Sequence, residues 1–292
     1  RLQAAETRSV RTPHMLSGRI DPPRPVDLDA FASLSGVNVF SPRLAGGLSD
    51  AELTARVERA GSTGMQTIRY MSLLGDLQDA LVMDANGVPI RLSPRATHRL
   101  TTLLEAAERS RGKGIVTLRD FTMADGVAKE GQRTVGDFPE LIRDPKKRAA
   151  LVNILRAFMS QPSIKNRPGL LAWEPMNEPD LAAAVSLSEL QAFIGELSAV
   201  IRQAAPGKPL SLSTANRDMA GNWLHLLQPG DLFQVHWYRQ HQSRMPLDFP
   251  RNRIRVPAGV KVIYGELDPY DVRQELNLAY DNGYDGVLFW QD

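Results

Sequence analysis

Short apolar runs alternate with longer amphipathic segments along most of this chain. Between the runs, apolar residues recur at helical spacing, as in Leu100, Leu103, Leu104 and Ala107. Strands that alternate with helices in this way predict a parallel α/β protein. The eight predicted strands are Val37–Phe40, Gln66–Tyr70, Ile115–Arg119, Leu170–Glu174, Leu210–Thr214, Leu232–Trp237, Val260–Gly265 and Gly286–Trp290.

Helix starts are marked by residues that favour the N-cap position. Ser49 and Ser186 each stand three residues before a Glu, which is the spacing of a capping box. Ser93, Asp144 and Asp268 each precede a Pro, which pairs an N-cap residue with Pro at the first helical position. Eight strands with helical crossovers predict a single-domain (β/α)8 TIM barrel. The dipeptide at residues 86–87, Asn-Gly between two apolar runs, predicts a small hairpin inserted after the second strand.

The two ends of the chain differ from this pattern. Residues 1–32 are polar and rich in Pro, without a sustained period, and predict an N-terminal arm that precedes a barrel over residues 33–292. The sequence ends at Asp292, directly after the eighth strand, so the closing helix is expected to be missing. Either the arm covers that gap or the chain is truncated at its C-terminus.

Composition narrows the class of protein. A length of 292 residues suits one (β/α)8 barrel, for which about 250 is typical. The apolar runs are all shorter than the ~18 residues of a membrane span, so no span is expected. A net charge of +2 argues against a nucleic-acid partner, and zero Cys excludes thiolate chemistry. No Gly-rich turn opens a helix, so a dinucleotide cofactor has little support.

One basic stretch follows the sixth predicted strand. A solvated loop is the preferred interpretation, and contact with an anionic polymer near the site is the alternative. Its residues are Arg239, Arg244, Arg251, Arg253 and Arg255.

The segment over residues 173–180 carries the most chemical information. It places Asn177 and Glu178 just before a Pro that cannot donate to a central strand ladder, so the strand is expected to end near Glu178. A strand-end carboxylate beside an amide suits cleavage of a glycosidic bond, although for a lone Asn-Glu-Pro a charged residue in a solvated loop is the preferred interpretation. A second apolar strand that ends at Gly265 and Glu266 favours the chemical interpretation.

Other polar and aromatic residues are expected at the same end of the barrel, where the working residues of such folds lie. Together they offer two carboxylates, a cation, an imidazole, a phenol, an amide and an aromatic plane, as carbohydrate sites do. Read from the strand ends, they are Arg69, Asp120, Asn177, Glu178, His236, Tyr238, Glu266 and Trp290.

On these residues the chain resembles glycoside hydrolase clan A, and within it the family-five cellulase and mannanase group. The resemblance implies a retaining hydrolase of a β-linked glucan- or mannan-like polysaccharide or oligosaccharide, with Glu178 as acid/base and Glu266 as nucleophile. It also implies that Asn177 holds the sugar 2-hydroxyl and that Arg69 and Tyr238 keep Glu266 ionised and aimed. His236 and Trp290 would line and floor the same subsite.

The resemblance further implies a carbohydrate substrate, no metal and no cofactor, and it favours a secreted or periplasmic location. We expect a monomer. Asp120 departs from the family pattern, in which His is frequent at this strand, and either binds sugar or caps locally. Two alternatives stay open: a non-catalytic carbohydrate-binding barrel, and a transglycosylase with the same site.

Overall fold

The computed structural model describes residues 27–39, 48–76, 80–121, 128–130, 133–135, 139–241, 243 and 245–290. Its strands are β1 (Gly36–Val39), β2 (Thr67–Tyr70), β3 (Leu81–Met83), β4 (Pro89–Leu92), β5 (Lys113–Thr117), β6 (Ala128–Glu130), β7 (Arg133–Val135), β8 (Leu170–Glu174), β9 (Ser211–Thr214), β10 (Leu232–Trp237), β11 (Lys261–Leu267) and β12 (Val287–Trp290). Eight of them are the predicted barrel strands. The antiparallel pair β3 and β4 is the predicted hairpin, and β6 with β7 forms a second small pair.

The eight barrel strands form one parallel sheet that closes on itself. Their order is β8, β5, β2, β1, β12, β11, β10, β9. A parallel bridge between Trp173 and Leu210 joins the two ends, where the Trp173 N–H donates to the carbonyl of Pro209 at 3.1 Å. The predicted (β/α)8 TIM barrel is therefore confirmed.

Amphipathic helices cover the outside of the barrel. In the longest helix the buried residues Leu190, Phe193, Ile194, Leu197 and Ile201 follow helical spacing and form one face. The helices are α1 (Leu28–Ser33), α2 (Asp50–Ser62), α3 (Leu73–Asp76), α4 (Pro94–Arg109), α5 (Glu140–Arg143), α6 (Pro145–Met159), α7 (Pro162–Lys165), α8 (Leu187–Ala204) and α9 (Val272–Asp281). Among the described residues, no helix has the length and apolar character needed to cross a membrane.

Four of the five predicted helix starts are confirmed by their capping contacts. Ser49 and Ser186 form complete capping boxes at α2 and α8, and Ser93 and Asp144 cap α4 and α6 through their side chains. The prediction for Asp268 is wrong. Since β11 continues to Leu267, the residues that follow form a loop, and α9 begins only at Val272 with Asp271 as its N-cap.

Two crossovers differ from the predicted alternation. Between β9 and β10, and again between β10 and β11, the described residues form short 3-10 helices and no α-helix. The segments are Arg217–Asn222, Leu224–Leu226, Arg239–His241 and Arg251–Arg253. Their low content of apolar residues at helical spacing explains the absence of a longer helix.

The barrel interior is apolar at its amino end and polar at its carboxyl end. The apolar layer consists of Ile115, Ala172, Leu232, Ile263 and Leu288. Because alternate side chains of a strand face the same side, residues two positions further along face inward too. In β5, β8 and β10 these are Thr117, Glu174 and Gln234, all fully buried. The sheet therefore directs a set of polar side chains toward the carboxyl-end mouth.

The chain around α1 lies at the opposite end of the barrel. Phe31 packs edge-on against Tyr280 of α9 at 5.4 Å, and Leu34 packs against the apolar interior layer. Only residues 27–32 of the predicted arm are described, and Phe40 and Arg244 also lie outside the described residues.

One residue of the described basic stretch, Arg251, lies away from the mouth. Arg251 donates to the carbonyl of Val260, which precedes β11, so this residue lies near the amino ends of the strands. For Arg251, this position contradicts the alternative of contact with a polymer near the site.

Candidate active site

Glu178 lies in a sharp turn after β8. The strand ends at Glu174, as its predicted range does and four residues before Glu178, because Pro175 has no N–H to continue the ladder. The backbone of Glu178 is left-handed, with φ of 42°, a conformation that costs energy for a residue with a Cβ. Hydrogen bonds hold this turn on both sides: Asn177 N–H donates to the carbonyl of Arg119, and Glu178 N–H donates to Oγ of Ser213.

Glu266 lies on β11 at a shift in register against β10. The pairing shifts between Val235 and His236, which places His236 opposite Glu266. A Cβ atom on Gly265 would lie only 2.2 Å from Oε1 of Gln234 and 2.7 Å from Nε2 of His236. Glycine is therefore required before Glu266, because β10 side chains occupy the space that any other side chain would need.

The two carboxyl groups face each other across the mouth. One oxygen of Glu178, one oxygen of Glu266 and a ring nitrogen of His236 all lie within 4.8 Å of one another. Nδ1 of His236 lies 2.7 Å from Oε1 of Glu178 and 3.4 Å from Oε1 of Glu266. The imidazole therefore lies between the two acids, and all three residues are buried.

Arg69, on β2, joins both halves of the site. Its Nη1 donates to Oε1 of Glu266 at 2.7 Å, and its Nη2 donates to Oδ1 of Asn177 at 2.7 Å. Nε and Nη2 also make a two-pronged contact with Glu174, at 2.8 and 3.0 Å. Although burial disfavours the charged form, the carboxylates of Glu174 and Glu266 outweigh it and raise the pKa of Arg69, which therefore stays a cation.

Tyr238 and Trp290 form a short chain of hydrogen bonds that ends on Glu266. The Trp290 indole N–H donates to the Tyr238 hydroxyl at 2.7 Å, and that hydroxyl donates to Oε2 of Glu266. Since the oxygen of Tyr238 already accepts from the indole, its proton is directed to the carboxylate. Burial and the charge of Glu266 raise the pKa of Tyr238, so the phenol keeps its proton.

The pKa values of the two Glu residues move in opposite directions. Burial and the charge of Glu266 raise the pKa of Glu178 to about 7, although His236 opposes this rise. Burial also acts to raise the pKa of Glu266, but His236, Arg69 and the Tyr238 hydroxyl outweigh it and hold that pKa below its usual value. Glu178 is thus the better proton holder, and Glu266 the better anion.

Asn177 is fixed by partners at both ends of its amide. Its Oδ1 accepts from Arg69, and its Nδ2 donates to Oδ1 of Asp120 at 2.8 Å. These contacts determine which way the amide faces and leave its second N–H without a contact among those described here. The neighbouring amide is thus one partner of Asp120, which is itself buried.

The structure brings all the predicted site residues together at the mouth, and sequence reasoning missed two polar residues that form hydrogen bonds with Arg69. Glu174 and Asn38 both contact Arg69, and Asn38 also donates to the carbonyl of Gly265 at 2.9 Å. Each is a polar residue at an inward position of an otherwise apolar strand. This polar residue at an inward-facing strand position is the sequence signal that could have identified both residues.

The same donors could in principle hold a metal ion. Glu178, His236 and Glu266 together offer two carboxylates and an imidazole. However, the Arg69 cation already lies 2.7 Å from Glu266, which disfavours a second cation at that oxygen.

Comparisons with known proteins find the same fold in several solved structures. The similar solved structures include β-mannanase of the blue mussel Mytilus edulis, with a TM-score of 0.68 and 17% identity over 89% of this chain and 91% of that one. Endo-1,4-β-mannanase of Rhizomucor miehei gives a TM-score of 0.67 and 14% identity, covering 92% and 88% of the two chains. Endo-glycoceramidase II of Rhodococcus sp., solved as a lactosyl-enzyme intermediate, gives a TM-score of 0.60 and 15% identity, covering 92% and 75%.

Neither the models of known protein families nor the curated proteins include a match to this sequence. At identities of 14–17%, the structural similarities show a shared fold.

Proposed function

We propose that this protein is a retaining glycoside hydrolase of the family-five type, acting on a β-linked polysaccharide or oligosaccharide. The observation that carries the proposal is the facing pair of buried carboxyl groups with opposite pKa shifts. Retaining enzymes hold their two carboxyl groups about 5–5.5 Å apart, whereas inverting ones leave about 6.5–9.5 Å for a water molecule. Oxygens within 4.8 Å favour the retaining arrangement.

In the first step, the carboxylate of Glu266 attacks the anomeric carbon while Glu178 donates its proton to the leaving oxygen. The glycosidic bond breaks and a covalent glycosyl-enzyme forms. In the second step, Glu178 removes a proton from water, which attacks the anomeric carbon and releases Glu266. A lactosyl-enzyme intermediate in the similar Rhodococcus enzyme supports this course.

The remaining residues have roles that follow from their contacts. Arg69 and Tyr238 hold Glu266 as an oriented anion, so they stabilise the nucleophile. Asn177 offers its second amide N–H to the sugar 2-hydroxyl. Trp290, half-buried at the mouth, supplies an aromatic plane against the sugar ring. Mannan is the first substrate to test, since several similar structures are mannanases.

Removal of each carboxyl group tests the assignment. Glu266→Ala should abolish turnover of every substrate. Glu178→Ala should impair polysaccharide cleavage far more than cleavage of activated aryl glycosides, because an activated phenolate needs little protonation. Azide should partly restore the Glu178→Ala variant by attacking the glycosyl-enzyme. The products of the wild type, followed by NMR, should first appear with retained anomeric configuration.

Asp231→Ala is the matched control, because this buried carboxylate lies before β10, at the other end of the barrel. This variant should be less stable than the wild type, but its loss of activity should not depend on whether the substrate is a polysaccharide or an activated aryl glycoside. Equal losses on both kinds of substrate in Glu178→Ala, with no azide rescue, would contradict the assignment. No turnover of any glycan would favour a non-catalytic binding barrel, and transfer of the glycosyl group to added sugar would identify a transglycosylase.

A further inference from the structure

Glu174 lies beneath the proposed site and contacts no position where a sugar would bind. It is fully buried at the end of β8. Its two oxygens accept three hydrogen bonds, two from Arg69 and one from Oγ1 of Thr117 at 2.6 Å. Three donors around one carboxyl group match the acceptor-only carboxylate form.

Glu174 completes the hydrogen bonding of Arg69. A guanidinium has five N–H donors, and here two are used by Glu174. The other three reach Glu266, Asn177 and Asn38 at 2.7, 2.7 and 3.2 Å. Because the guanidinium is planar and rigid, the two-pronged contact with Glu174 fixes the direction in which the remaining donors point.

We propose that Glu174 is a positioning residue, which acts through Arg69 to orient Glu266 and Asn177 and to set their electrostatic environment. The inference rests on the proposed function. Glu174 and Glu266 share a single cation, so the three groups together carry one net negative charge. Removing the charge of Glu174 leaves Arg69 paired with Glu266 alone, which favours the ionised form of Glu266.

The test is the pH dependence of kcat/KM for Glu174→Gln, measured with the aryl glycoside that the wild type hydrolyses best. Loss of a nearby negative charge lowers the pKa of both Glu266 and Glu178. Both limbs of the profile should therefore move to lower pH, by roughly half a unit or more. An amide also turns an N–H toward the Arg69 donors, so the two-pronged contact is lost and kcat should fall roughly tenfold or more.

Asp231→Asn is the matched control. Asp231 is a buried carboxylate paired with Arg202 at 2.6 Å, and it lies before β10, at the other end of the barrel. This variant should lose stability, as Glu174→Gln also should, while its pH limbs stay at the wild-type positions.

Glu174→Asp separates charge from geometry and serves if the Gln variant does not fold. It keeps the carboxylate but withdraws it by one methylene, so the limbs should stay while the rate per active site falls. Active sites are counted by the burst of phenol released from a slowly turned-over activated glycoside.

The possible outcomes are distinct. Unmoved limbs in folded Glu174→Gln, or an unchanged rate per active site in Glu174→Asp, would overturn the positioning role and leave the proposed function intact. A wild type that cleaves no glycoside would overturn both. Limbs that move down in Glu174→Gln, with a reduced rate per site in Glu174→Asp, would support the proposal.

Discussion

At the scale of single residues, the protonation of the two site carboxyl groups depends on which of them lies beside the Arg69 cation. Arg69 lies 2.7 Å from Glu266, whereas the ion pair described for Glu178 is with His236. This asymmetry makes two residues of the same type different in their affinity for a proton. We expect a bell-shaped dependence of kcat/KM on pH, with the acidic limb set mainly by Glu266 and the basic limb by Glu178.

Arg69→Met tests this asymmetry. Removing the cation raises the pKa of Glu266, so the acidic limb should move to higher pH and the rate should fall, the opposite direction from Glu174→Gln. Arg202→Met, which removes a cation at the other end of the barrel, should leave both limbs in place. If the limb of folded Arg69→Met coincides with that of the wild type, Arg69 does not tune Glu266.

The sequence allowed prediction of the residues that lie at strand ends but not of those beneath them. Glu178 and Glu266 follow apolar runs and are marked by Pro179 and Gly265. Asn38 lies inside β1, and Glu174 is the last residue of β8. The role of a polar residue in such a short apolar run cannot be assigned until its partner in the fold is known. That partner, Arg69, is 105 residues from Glu174 along the chain.

At the scale of elements, the ends of the barrel strands were predicted to within two residues, because their apolar runs are short and bounded by turn residues. Crossovers were predicted only where capping signals and helical spacing coincide, as at Ser49 and Ser186. After β9 and β10 those signals are missing, and the observed connections are 3-10 helices. The error at Asp268 has the same origin, since a cap-and-Pro pair fits a loop as well as a helix start.

Two glycines should respond in opposite ways to substitution by Ala. On β1, a Cβ at Gly36 would lie 1.6 Å from the carbonyl oxygen of Thr67, so Gly36→Ala must displace β1 from β2 and lower stability strongly. In the middle of α8, no described atom other than those of the adjoining helix backbone and the two chain neighbours lies within 4 Å of a Cβ at Gly195. Gly195→Ala should therefore stabilise the protein by roughly 0.5–1 kcal/mol.

Urea denaturation followed by circular dichroism measures both effects. A Gly36→Ala variant as stable as the wild type would contradict the close approach of the first two barrel strands. A destabilised Gly195→Ala variant would contradict the open surroundings of that position.

At the scale of the whole molecule, the buried site should make stability depend on pH. Glu178 has a folded-state pKa of about 7 against an ordinary value of 4.5. Below pH 4.5 the group is protonated in both states and costs nothing. As pH rises from 4.5 to about 7, the group ionises in the unfolded chain but stays protonated in the folded protein, so the unfolded state is stabilised and the free energy of unfolding falls by up to ~3 kcal/mol.

Glu178→Gln removes this titration while keeping the shape of the side chain. The free energy of unfolding of the variant, minus that of the wild type, should therefore increase between pH 4.5 and pH 8. Other groups with shifted pKa values, including Asp180, are common to both proteins and largely cancel in the difference. A difference that stays constant over this range would show that Glu178 titrates in the folded protein as it does in the unfolded chain.

The partners of Arg69 have a consequence for the order of events in folding. Its donors connect β2 with β1, β8 and β11, and the partner residues on β11 and β2 are separated by 197 positions along the chain. Contacts of such long range form late, because the loss of chain entropy precedes the gain from the contact. Helices and neighbouring strands can form without assembling the site. During refolding, recovery of activity should therefore lag behind recovery of secondary structure, and enzymatic turnover would report the closure of the barrel.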